Sequence, residues 1–153
     1  MMELNEEVIR FLQNQSFVII STVDGKGRPH TACKGIVEIN SKGEVYLLDL
    51  YLANTYRNLK KDPYLSITAV DEHRFCGYCL KGKARIINQE DISPEIMKAW
   101  EDKVTSRITQ RVLKNILDKK GHPEHPEAAF PKPKYMIVVE IDSIEDLTPR
   151  HLK

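Results

Sequence analysis

Asn54 and Thr55 stand where a short helix should begin, and Arg57, Asn58, Lys60 and Lys61 follow at once. A helix N-terminus offers backbone N–H groups without intrahelical partners and a partial positive charge, which suits a phosphate. Hydroxyl, amide and basic side chains at that point form a clamp for a phosphorylated ligand. Cys76 and Cys79 form a C-x-x-C pair, a spacing known in zinc sites and redox pairs. A redox pair normally opens a helix, which lowers the thiol pKa. This pair falls in a strand, where residues three apart point to opposite faces, so two small packing residues are expected and no metal site. His122 and His125, in HPEHPE, have metal-ligating chemistry, but the interleaved prolines and glutamates favour a solvated loop. No catalytic acid–base pair stands out.

These residues need elements to position them. Asn5 caps a first helix, with Glu6 and Glu7 in its first turn, Leu4 and Ile9 as a hydrophobic staple, and Val8, Ile9, Phe11 and Leu12 buried. Residues 17–23 (FVIISTV) read as a buried strand. The turns Asp24-Gly25-Lys26-Gly27 and Asn40-Ser41-Lys42-Gly43 bracket a second strand over residues 29–39, and a third follows over 44–50. The clamp helix stops before Pro63. Strands over 65–70 and 75–87 come next, the latter carrying Gly77 and Gly82 as candidate bulges or sharp bends. Ser93 and Pro94 then open a long helix. Its stripe of Ile96, Trp100, Val104, Ile108, Val112 and Ile116, widened by Met97, Leu113 and Leu117, must pack on something apolar. Gly121 is expected to end it, before a proline-rich loop and a last strand over 135–141.

The expected fold is therefore mainly β: six strands, largely antiparallel, with a short helix after the third and a long helix before the last. Closing such a sheet into a barrel removes its exposed edges. The 153 residues suit one domain, and 1–153 is read as one. Formal net charge is +1, which gives no electrostatic case for nucleic acid. No long uncharged apolar run suggests a membrane helix. Three cysteines argue against a secreted disulfide framework, and the acidic amphipathic start does not look like a signal peptide. A cytoplasmic location is expected.

Within this order of elements, Asp24-Gly25-x-Gly27-x-Pro29-His30 resembles the first hairpin of the pyridoxamine 5'-phosphate oxidase-like, FMN-binding split-barrel family. The run Arg57-Asn58-Leu59-Lys60-Lys61-Asp62-Pro63 resembles that family's short helix, and Lys81-Gly82-Lys83-Ala84 one of its strands. The resemblance implies a homodimeric split barrel with FMN at the subunit interface. It implies that Ala32, Cys33, Lys34 and Gly35 contact the flavin ring and ribityl chain, largely through backbone groups. It adds Leu47, Leu48 and Asp49 at the end of the third strand. The phosphate would lie at Asn54 and Thr55, with Arg57 and Asn58 close by. Many members carry lysine, or an Arg-Lys pair, where this chain has Asn54-Thr55. Lys34 or Arg57 would then supply the missing charge. The implied activity is electron exchange between the flavin and a small-molecule substrate or nicotinamide donor, without vitamin B6 oxidation. The alternative is a non-catalytic module that carries flavin or haem in storage or stress response.

Overall fold

The computed structural model describes residues 2–118, 127 and 130–153. Helix α1 spans Glu6–Gln13, α2 Asn54–Lys61 and α3 Pro94–Asp118. The strands are β1 Val18–Val23, β2 Pro29–Lys34, β3 Ile36–Ile39, β4 Glu44–Asp49, β5 Tyr64–Asp71, β6 Cys76–Asn88 and β7 Tyr135–Asp146. All seven join one sheet in the order β2-β1-β5-β6-β7-β4-β3, and every pairing is antiparallel.

The strand expected over residues 29–39 is two strands, hence seven rather than six. They lie at opposite edges of the sheet: β2 pairs with β1, and β3 pairs with β4. Only Gly35 separates them in the chain. The two edges must therefore meet at that residue, which curls the sheet into a barrel whose seam stays unpaired along β2.

Alternating side chains from every strand except β2 fill the barrel, among them Ile20, Leu47, Ile67, Leu80, Ile137 and Ile141, each at most 1% exposed. Leu4, Val8 and Leu12 from the α1 end and Leu59 from α2 join this core. Asn5 caps α1 as expected, its side chain accepting from the Val8 amide at 2.8 Å. A second cluster lies outside the barrel, where Val37, Leu48, Met136 and Val138 meet Ile92, Ile96 and Trp100. Strand β7 is thus covered on both faces, which explains its continuous apolar run YMIVV. The long helix packs here through its N-terminal half. Farther along it, Leu113, Ile116 and Leu117 are exposed, so the expected stripe is covered over only part of its length.

Gly82 sits where β6 and β7 shift register. A Cβ there would meet the Glu140 carbonyl oxygen at 2.2 Å, so glycine is required by close backbone approach. No helix among the described residues is long and apolar enough to cross a membrane.

Candidate functional site at the barrel seam

The unpaired edge of β2 borders a groove of about 530 Å³, walled by residues 30–37 on one side. The end of β4, the β4–α2 loop and the start of α2 form the other side, and Trp100, Lys103, Val104 and Arg107 of α3 lean over it. Ala32, Cys33, Lys34, Gly35, Leu48, Asp49, Asn54 and Thr55 are all brought together here. Leu47 is not: it is wholly buried in the barrel core, because neighbouring strand residues face opposite sides. Arg57 and Asn58 also miss the groove and line the adjoining cleft with Asp24 and Arg28. Asn54 borders both spaces.

The first turn of α2 differs from an ordinary capped helix. Its N-cap is Ala53, which has no side chain able to cap. The first backbone bond runs from the Arg57 amide to the Ala53 carbonyl. The amides of Asn54, Thr55 and Tyr56 therefore lack helical partners. Thr55 is 4% exposed, and no residue among those described hydrogen-bonds its hydroxyl. Asn58 anchors the helix instead, its Nδ2 donating to Thr22 Oγ1 on β1 at 3.0 Å, with both residues buried. Arg57 donates to Asn54 Oδ1 and stays exposed.

Lys34 faces inward but is already matched. Its Nζ lies 2.6 Å from Asp49 Oδ2, and the Tyr135 hydroxyl donates to the same oxygen at 2.6 Å. Burial, and then the hydrogen bond to the Asp49 carboxylate, push the Tyr135 phenol up, so it remains a donor. The charges without a carboxylate come from α3. Lys103 Nζ donates to the Ile36 carbonyl at 2.6 Å, and burial followed by the nearby Arg107 charge lowers its pKa. Arg107 donates to the Ser16 carbonyl. Trp100 packs from the apolar stripe as expected and also lines the groove, whereas no motif in the sequence singles out Lys103, Arg107 and Tyr135. Lys103 and Arg107, four apart and flanking the apolar stripe, were the available signal.

Cys76 and Cys79 lie in β6 opposite Asp71 and Thr68 as free thiols. No cluster of three or more metal-ligating side chains occurs among the described residues. His122, His125 and Gly121 lie outside the described residues. A larger, more open cleft of about 1420 Å³ lies between α1 and the β5–β6 turn. It mixes acidic and basic side chains and gathers none of the clamp residues.

The model of the family described as pyridoxamine 5'-phosphate oxidase matches residues 4–140. The chain belongs to this family. HupZ from Group A Streptococcus has a similar fold, with TM-score 0.64 and 17% identity over 95% of this chain and 94% of that one. An F420 reductase aligns with TM-score 0.57 and 15% identity over 93% of this chain and 98% of its own. General stress protein 26 from Bacillus anthracis aligns with TM-score 0.57 and 16% identity over 95% and 94% of the two chains. At such identities the likeness shows the fold. No curated protein matches the chain.

Proposed function

We propose that this chain is a flavoprotein that binds FMN in the seam groove and exchanges electrons with a small molecule there. The observation that carries the proposal is the start of α2. The amides of Asn54 and Thr55, which lack helical partners, and the buried Thr55 hydroxyl border one end of a groove lined by the free edge of β2. That donor set suits a phosphate, and the unpaired β2 backbone suits the polar edge of a planar ring. Arg57, on the same turn and bonded to Asn54, supplies charge. Lys34 contributes less net charge than expected, because Asp49 neutralises it. When bound, the flavin supplies the redox chemistry, and the protein supplies position, electrostatics and exclusion of water. A neighbour named F420 reductase supports an electron-transfer role.

A second copy of the chain closes the groove in this reading, giving a homodimer. Phe17 and Tyr51 line the groove, and with Leu52 beside them they are more than half exposed, as an uncovered interface requires. The chain acts as a single domain, 1–153, in the cytoplasm.

Titration with FMN and with riboflavin, which lacks the phosphate, tests the assignment. FMN should bind at least about tenfold more tightly, or about 1.4 kcal/mol. The double replacement Asn54→Ala with Thr55→Ala should shrink that margin. Equal affinity for the two flavins removes the phosphate site.

A further inference from the structure

Lys34, Asp49 and Tyr135 meet at one point from three strands. They are the last residue of β2, the last of β4 and the first of β7. Asp49 Oδ2 accepts from both the Lys34 ammonium and the Tyr135 hydroxyl, each at 2.6 Å. The side chains of Lys34 and Asp49 are only 9% and 11% exposed, and Tyr135 is 1% exposed behind them. Among the described residues, the other carboxylate oxygen has only the Tyr51 amide, at 3.5 Å.

Stability does not account for this arrangement. A buried ion pair seldom outperforms apolar side chains of the same volume, because desolvation offsets the attraction. Apolar side chains pack close by, since Tyr135 belongs to the barrel core and its ring meets that of Tyr56. The charges also avoid the deep core, since Lys34 and Asp49 both line the groove. They stand where a ligand's own charge would feel them through little screening.

We propose that Lys34, Asp49 and Tyr135 form a charge-setting unit for the redox group in the groove. Lys34 presents a fixed cation, Asp49 moderates it, and Tyr135 is the positioning residue that holds the Asp49 carboxylate. This inference rests on the flavin reading. Reduction adds negative charge to the flavin. A cation at the groove wall therefore favours the reduced form, and an anion favours the oxidised form. Removing Asp49's charge leaves Lys34 unopposed, whereas removing Lys34's charge leaves Asp49 unopposed. The two changes must act in opposite directions.

The test is a redox titration of the FMN-loaded protein against a reference dye. Asp49→Asn should raise the reduced-to-oxidised ratio at a given potential about tenfold, or about 30 mV for a two-electron couple. Lys34→Met should lower it by a similar factor. Lys34→Met combined with Asp49→Leu should return to within about threefold of the parent, because the two opposite shifts cancel. Tyr135→Phe removes one donor and no charge, so it should shift the ratio less, in the same direction as Lys34→Met. A purely structural staple would lower the melting temperature of the single variants without opposing redox shifts. Shifts of the same sign, or none, overturn the inference. Should either charge variant fail to fold, an unmoved potential in Tyr135→Phe overturns it as well. A parent protein that takes up no FMN removes the flavin reading and this inference together. FMN uptake with unmoved potentials removes only the inference.

Discussion

The two sides of the barrel are built on different principles. On the closed side, β5, β6 and β7 pair along their length, and Ile67, Leu80 and Ile137 behind them are wholly buried. On the seam side, the chain buries Thr22, Asp49, Thr55, Asn58 and most of Lys34. Polar burial costs free energy unless it is matched. Four of those groups are matched in pairs: Asn58 with Thr22, and Lys34 with Asp49. Thr55 has no partner among the described residues. The difference teaches that the closed side supplies stability, and that the seam holds polar donors at a cost which, in the proposed reading, serves a ligand.

Substitutions can break or sharpen that contrast. The largest effect is expected on the closed side. Ile137→Ala should cost about 2–5 kcal/mol in denaturant unfolding, while the folded fraction still binds one FMN per chain with parental affinity. Affinity lost in proportion to stability would mean that the two sides are not separable. Asn58→Ala should cost less, about 1–3 kcal/mol, because it strands the buried Thr22 hydroxyl. This change, unlike the first, should also weaken FMN binding, since Asn58 fixes where α2 begins.

A pH experiment sharpens the comparison at the outer end of α3. Arg111 donates to Glu127 and holds its carboxyl at about 2, against 4.5 for the free side chain. The pair therefore stabilises the fold fully above pH 4.5 and loses that contribution as the pH falls through about 2. Melting of the parent and of Glu127→Gln should differ by a constant amount near neutrality and converge toward pH 2. A gap independent of pH would refute the assignment. The smallest effect belongs to the solvated pair Lys81 and Glu145, at 3.2 Å on exposed parts of β6 and β7. Lys81→Gln should leave both melting and FMN affinity unchanged.

Local signals made much of this legible. The Asn5 cap, the glycine turns, the stop before Pro63 and the bend at Gly82 follow from short-range chemistry, and the structure has each of them. The break at Gly35 was not legible. Residues 29–39 keep strand character throughout, and only the global curl decides that the two halves join opposite edges. The same limit hid the Lys34–Asp49–Tyr135 contact, whose members lie far apart in the chain. Leu47, expected beside the site, turns its side chain into the barrel core for a simpler reason. Adjacent residues of β4 face opposite ways, and Leu48, not Leu47, reaches the groove. The candidate clamp residues stand out by type, but their division between groove and outer cleft depends on the helix rotation that Asn58 and Thr22 set.

Trp100 is the sole tryptophan and lines the seam groove, so its emission reports on that place alone. The most direct measurement is a titration of the flavin-free protein with FMN, followed by Trp100 fluorescence. The expected result is saturable quenching at one FMN per chain. FMN that leaves Trp100 emission unchanged, whether unbound or bound elsewhere, would contradict the assignment of the seam as a flavin site.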